Sequence, residues 1–236
     1  MDQTEYRETA APPVAGLACA WTAGLPAAAA GPAVQRVVPD ACVDVVWWPG
    51  GGGLLVAGPD TGPAPAVLRP GDRLAGVRLR PGAAGPVLGV PPAALRDARV
   101  PLTEVWGGAA DRLAERLAAA DDPAAALAAG IAARAAAAPP PDPLAAPLAR
   151  ALAAGSVRDA AAALGLGERQ VRRRAVAAFG YGPKTVQRVL RFQRALRLAR
   201  AGRPLAEVAW AAGYSDQPHM AHDVRQLGGV PIRSLL

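Results

Sequence analysis

Three arginines, Arg169, Arg172 and Arg173, fall within five residues of the stretch ERQVRRRAVAAF. In a helix over 168–179, Val171, Ala175, Ala178 and Phe179 follow the i, i+4, i+7, i+8 spacing of one inward face. The three arginines are then left outside, near the helix start. A guanidinium carries a planar fork of donors that fits the O6 and N7 acceptors of guanine, so such a helix suits the major groove of duplex DNA. Taken alone, the same pattern also describes a solvated basic face. Elsewhere the reactive inventory is thin. Cys19 and Cys42 are the only cysteines, which excludes a disulfide framework and a four-cysteine zinc site. Cys42 has no base beside it in the sequence and reads as a buried thiol. His219 and His222, the only histidines, stand at i,i+3 with no third ligand in view, so neither metal nor cofactor is expected.

The surroundings of the arginines decide between the two readings. Segments 156–183 and 204–231 resemble each other: Val157 aligns with Leu205, Ala160 with Val208, Ala161 with Ala209 and Gly165 with Gly213. After a shift of one residue, Val171 aligns with Met220, Ala175 with Val224 and Gly180 with Gly229. Each copy has a short helix, a glycine turn and a second helix, the anatomy of a helix-turn-helix. Ser156 with Asp159 forms a capping-box pattern, Asp216 or Ser215 can cap the last helix, and Gly165 and Gly213 let a helix stop. Between the copies, Pro183–Arg200 is expected to be one helix with an apolar stripe of Val186, Val189, Leu190, Gln193, Leu196 and Ala199. Its length, about 27 Å at 1.5 Å per residue, is of the order of one DNA turn, roughly 34 Å. Both second helices could then meet successive major grooves. Arg188, Arg191, Arg194, Arg197 and Arg200 wind around this connector and are read mostly as solvated or interdomain groups.

The first hundred residues are rich in Gly and Pro, with strand-like runs at Val34–Val38, Cys42–Trp48, Leu54–Ala57 and Arg73–Arg80. Helical patterns follow at Ala93–Asp97, Ala109–Ala120 and Pro123–Ala138. Pro139-Pro140-Pro141-Asp142-Pro143 cannot continue a helix, because proline lacks the amide donor and clashes with the preceding turn. The expected fold is α+β. A small antiparallel sheet or barrel with flanking helices (1–138) precedes a proline-rich linker (139–143). An all-α double helix-turn-helix (144–236) follows, its units at about 156–180 and 204–229. Charge divides at the same place: residues 1–142 hold 11 Arg and 14 acidic groups, net −3, and residues 143–236 hold 15 basic and 5 acidic groups, net +10. Such a basic domain suits a polyanion. Alanine, 59 of 236 residues, inflates the hydrophobic fraction of 52%, and no run reads as a membrane span. The polar start, MDQTEYRET, lacks the character of a secretory leader, so a cytoplasmic, nucleoid-associated location is expected, away from membranes.

The stretch Ala209-Trp-Ala-Ala-Gly213-Tyr214-Ser215-Asp216-Gln217 resembles the A-x-x-x-G-F-x-D-Q pattern of AraC-type (AraC/XylS) bacterial transcriptional regulators. Gly180-Tyr-Gly-Pro183 is similar to the G-x-S-P closing their first unit. The resemblance covers about 144–236 and implies sequence-specific binding of double-stranded DNA through two recognition helices. It puts the base-facing positions at Arg169, Arg172 and Arg173 in the first unit, and at Gln217, His219 and His222, with Arg225, in the second. Three departures stand out: Met220 and Val224 where phenylalanine is usual, His222 for arginine, and Ile232 in the usual proline position. The first unit is therefore expected to dominate affinity.

VVPDACVDVVWW, GVRLRPGAAGPVLGVP and VPLTEVWG resemble the N-terminal domain of a group of AraC-type regulators bearing a P-D-G-C-V-D motif, here with Ala41 for glycine. By that resemblance the first half would sense a small-molecule effector or mediate a homodimer, and an activator would also meet RNA polymerase. Strand alternation puts Cys42, Asp44, Val46 and Trp48 on one face, and Arg78 and Arg80 together on another strand. Asp44, Trp48, Arg78 and Arg80 thus suggest either a polar–aromatic effector pocket or a structural ion pair beside core tryptophans. Two alternatives to a specific regulator remain open: a repair-type enzyme using Cys42, and a nonspecific DNA binder.

Overall fold

A computed structural model describes residues 4–236, so the first three residues of the polar N-terminal stretch lie outside the described residues. The N-terminal half contains β1 (Glu5–Ala10), β2 (Leu17–Gly24), β3 (Ala33–Val37), β4 (Val43–Trp48), β5 (Gly53–Ala57), β6 (Ala64–Leu68), β7 (Arg73–Leu79) and β8 (Arg99–Pro101). Its helices are α1 (Ala84–Leu88), a 3-10 turn at Pro92–Leu95, α2 (Leu102–Trp106), α3 (Gly108–Ala118) and α4 (Pro123–Ala137). Six strands pair antiparallel in the order β1-β2-β7-β4-β5-β8, and β3 pairs with β6 as a separate ribbon. The fold is α+β, as expected.

Strand alternation gives the six-stranded sheet two unlike faces. Val43, Val45, Val56, Val77 and Leu79 pack with Leu113, Leu117, Leu127 and Ile131 beneath α3 and α4. On the opposite face Ala23, Val46, Leu68 and Leu74 form a smaller apolar cluster edged by Trp21 and Trp48. The four strands expected from the sequence are present within one residue at each end, while β1, β2, β6 and β8 lie outside that expectation. Their sequences explain it: EYRETA is exposed throughout, LACAWTAG is mostly small residues, APAVL contains Pro65, and RVP is three residues long. Pro65 is accommodated because its ribbon has only two strands, so an edge is always at hand.

After α4 no α-helix or strand forms until α5 (Ala145–Ala154). Then come α6 (Val157–Ala163), α7 (Glu168–Phe179), α8 (Pro183–Arg200), α9 (Leu205–Ala212), α10 (Gln217–Gly228) and a 3-10 turn at Ile232–Leu235. Val171, Phe179, Val186, Val189, Phe192, Leu196, Val208, Met220, Val224 and Leu227 make one core. Burying Phe179 and Phe192 contributes about 1.5–3 kcal/mol each. The stripe expected on α8 needs correction. Phe192 and Ala195 are fully buried, whereas Leu190 and Gln193 are only half-buried. A single-stripe reading assumes one neighbour, but α8 packs against α5, α7, α9 and α10, so its buried arc is wider.

Candidate nucleic-acid interface and the cavity behind it

In the first helix-turn-helix, Ser156 Oγ accepts the Asp159 amide at 3.1 Å and Asp159 Oδ2 accepts the Ser156 amide at 2.9 Å. This capping box starts α6. Gly165, at φ +63°, turns the chain into α7, where Gln170 Oε1 accepts the Gly167 amide at 2.9 Å. Val171, Ala175, Ala178 and Phe179 are buried, and Arg169, Arg172 and Arg173 are exposed. The fourth arginine of the run, Arg174, is paired with Asp142 of the proline-rich segment. Asp142 Oδ1 also accepts the Leu144 amide at 2.9 Å, so this segment is pinned beside α7.

The second unit has the same geometry with different chemistry. Asp216 Oδ1 accepts the His219 amide at 2.7 Å and caps α10, and this bond holds the Asp216 carboxyl below its ordinary pKa. Gln217, His219, His222 and Arg225 are exposed. Two of them are already engaged: His219 Nδ1 lies 3.0 Å from Ser215 Oγ, and His222 Nε2 lies 2.8 Å from Gln226 Nε2. The two histidines thus look to different partners. Among the described residues no cluster of three His, Cys, Asp or Glu is arranged to hold a metal ion. Met220 and Val224 are buried and fill the core.

Sequence reasoning missed the node that fastens α10 to α8. Asp223, buried, accepts from Tyr214 Oη at 3.1 Å and pairs with Arg188, while Arg191 stands 3.6 Å away and stacks 4.6 Å from the Tyr214 ring centre. Two of the five connector arginines are therefore turned inward, and a third, Arg200, donates to the Leu235 carbonyl at 3.0 Å. The available signal was the spacing Met220, Asp223, Val224, Leu227: an acidic residue inside a buried helical stripe calls for cations opposite it.

The last carbonyls of a helix lack intrahelical donors. At the end of α7 the N-terminal half supplies them: the Gly82 amide donates to the Ala178 carbonyl at 3.0 Å, and Arg96 Nε to the Gly180 carbonyl at 3.1 Å. Gly180 has φ +80°, and a Cβ there would lie 2.7 Å from Pro59 Cγ and 2.9 Å from the Pro92 carbonyl oxygen. Its counterpart after α10, Gly229, has φ +72°, and a Cβ there would sit 3.2 Å from Pro63 Cγ. One loop, residues 58–63 between β5 and β6, thus touches the C-terminal ends of both second helices.

That loop also borders a cavity of about 750 Å³ between the outer sheet face and the β3–β6 ribbon, closed on one side by Gln193 and Arg200 of α8. Asp44 and Trp48 line it from β4 and Arg78 from β7, with Trp21 and Tyr6 beside them. Asp44 and Arg78 are direct cross-strand partners, joined at 3.2 and 3.4 Å, and Trp21 Nε1 donates to Asp44 at 3.1 Å. Burial pushes the Asp44 carboxyl up to about 6, against the opposing pull of Arg78. Arg80 is not in this wall. The alternation expected to place it there stops with β7 at Leu79, and Arg80 Nε instead donates to the Leu17 carbonyl at 2.7 Å. Cys42 lines the cavity too, but burial and then Asp40 push its thiol well above the ordinary value, the opposite of an activated nucleophile.

Residue Pro39 ties this wall to the basic half, its carbonyl accepting from Gln193 Nε2 at 2.6 Å. Ala41, buried in the C-terminal core at φ +68°, occupies the left-handed region that a glycine would enter freely.

Residues 160–236 match the family described as a helix-turn-helix domain, and residues 13–101 match a domain of unknown function, DUF6597. A search among curated proteins returns no match to the chain. Among solved structures, it is similar to an apo single-residue variant of ToxT from Vibrio cholerae strain SCE256, at 8% identity over 98% of this chain and 95% of that one, with a TM-score of 0.47. It is also similar to unsaturated fatty acid bound wild-type ToxT from the same strain, at 6% identity over 88% and 95%, with a TM-score of 0.44. ToxT from Vibrio cholerae O395 follows at 7% identity over 85% and 94%, with a TM-score of 0.43. The C-terminal third of the chain is thus a helix-turn-helix domain, the reader of a DNA-binding transcription regulator. No helix among the described residues is long and apolar enough to cross a membrane.

Proposed function

We propose that the chain binds specific DNA sites by inserting α7 and α10 into successive major grooves, and that its N-terminal half controls this. The implied organisation is a regulatory domain over 1–138, a linker over 139–143 and a DNA-binding domain over 144–236. Arg169, Arg172 and Arg173 are the principal DNA contacts, and Gln217, His219, His222 and Arg225 are the weaker set. Asp44, Trp48 and Arg78 belong to an effector site for a small molecule.

One observation carries the control: the C-terminal ends of both recognition helices lean on loop 58–63, and Gly58 and Asp60 of that loop line the cavity. Two helices that must match two grooves are sensitive to their relative tilt. A ligand that shifts loop 58–63 therefore has a lever on both at once.

Binding of the full chain to a selected site, in competition with random duplex at fixed salt, tests the reading. The site is expected to win by at least about 10³-fold. Arg173→Ala is expected to cost roughly 1–3 kcal/mol on that site. Equal affinity for both duplexes, unchanged by the substitution, would sink it.

A further inference from the structure

Resting on the effector-site reading of the cavity, we propose that its ligand is a small organic cation, an amine or quaternary ammonium compound held between the carboxylates around Arg78 and the aromatic wall. Glu8, Asp40 and Asp44 converge on the single guanidinium of Arg78, at 3.4, 3.3 and 3.2 Å. Three negative groups share one positive one. The other acids of the wall have partners of their own. Asp60 is held by both Nη atoms of Arg99 at 2.7 and 2.8 Å, and Asp97 accepts from the Thr61 amide at 2.6 Å. Arg36 and Arg200 line the cavity as exposed groups, and among the described residues neither forms an ion pair with the cluster. The unbalanced charge therefore sits beside Tyr6 and Trp21, with Trp48 further along the same wall.

Those rings supply the second half of the argument. The Tyr6 and Trp21 ring centres are 5.9 Å apart, and the Trp21 indole is anchored to Asp44 through its N–H. Aromatic faces attract cations through their quadrupole, most strongly where water is excluded. Beside Arg78 an anion would meet three carboxylates, leaving it only Arg36 and Arg200 of the lining as cations outside an ion pair, and a neutral molecule would leave the excess untouched. The acidic groups form no three-ligand metal arrangement among the described residues, and the aromatic wall favours an organic cation. A cavity of about 750 Å³ is of the size that takes small organic molecules.

The probes are choline, its neutral isostere 3,3-dimethylbutan-1-ol and the anion 3,3-dimethylbutanoate, titrated into the full chain by calorimetry and followed by tryptophan fluorescence. Choline is expected to bind at least about 10-fold more tightly than either. Asp44→Asn should erase that preference. Glu8→Gln, on the exposed edge strand where folding is not at stake, should weaken choline by about 3-fold and leave the alcohol unchanged. If the alcohol or the butanoate binds as well as choline, the cation is wrong while the effector site stands. If none of the three binds up to about 10 mM, the cation is wrong as well.

Discussion

The two halves of the molecule distribute charge in opposite ways. The C-terminal half, net +10, turns its surplus outward: Arg169, Arg172 and Arg173 are exposed on α7 with no partner acid among the described residues, while its buried carboxylate, Asp223, has two arginines and a tyrosine to itself. The N-terminal half, net −3, gathers three of its carboxylates on one guanidinium in the wall of a cavity. A charge satisfied within the fold acts as a fastener. A charge left unbalanced at a surface or in a cavity asks for a partner from outside, and the sign of the excess names the partner: a polyanion in one half, a cation in the other.

The largest effect is expected from removing the outward surplus. Changing Arg169, Arg172 and Arg173 together to alanine should lower affinity for a selected site by at least about 10²-fold. The slope of its salt dependence should flatten by roughly one unit for each phosphate no longer neutralised. The matching change of Gln217, His219 and Arg225 should cost about 10-fold or less. Fluorescence anisotropy across a salt series checks both. Equal losses would break the contrast between the two units.

The joint between the halves comes next. Gly180→Ala forces a side chain into the left-handed region and against Pro59 and the Pro92 carbonyl, and is expected to destabilise by about 2–4 kcal/mol in a urea titration. Gly229→Ala meets only the more distant Pro63 ring and should cost about 1 kcal/mol. The fastener on α10 lies between them: Asp223→Ala strands Arg188 and Arg191 and should cost about 2 kcal/mol, below the figure for a fully buried pair because both arginines are about one-third exposed.

Much of the C-terminal half is legible in its sequence because every signal there is local. The capping box at Ser156, the αL glycines 165, 180, 213 and 229, and the four-residue repeat of α7 each depend on neighbours a turn away. What escaped was long-range. The pairing of Asp223 with Arg188, 35 residues earlier, and of Gly82 with the end of α7, cannot be seen in a window of one helix. In the N-terminal half, alternation put Asp44 and Trp48 on the correct face, yet Glu8 and Asp40 joined the same cluster from a polar strand and a loop that carry no apolar pattern. Arg80 failed for the converse reason: alternation predicts a face only while the strand lasts.

A further expected effect reverses the usual sign and so tests the contrast most directly. The folded pKa of Asp44, about 6, lies above the ordinary carboxylate value of 3.8 because burial disfavours its charge. Around it stand Glu8 and Tyr6 from β1, Cys19 from β2, Asp40 and Cys42 from the loop before β4, and Arg78 from β7. A carboxyl whose pKa is raised on folding favours the native state when protonated, below pH 3.8, and that contribution is lost as pH rises through 6. Above pH 6 the ionised group is therefore a burden, and Asp44→Asn removes it. Thermal unfolding of the full chain at pH 7.5 should show the variant more stable by about 1–2 kcal/mol, with the gain shrinking toward zero near pH 4. Asp223→Asn, where the acid is outnumbered by arginines, should destabilise at pH 7.5. If both substitutions destabilise alike, the Arg78 cluster is a fastener of the same kind as Asp223, and the inward surplus is not a site.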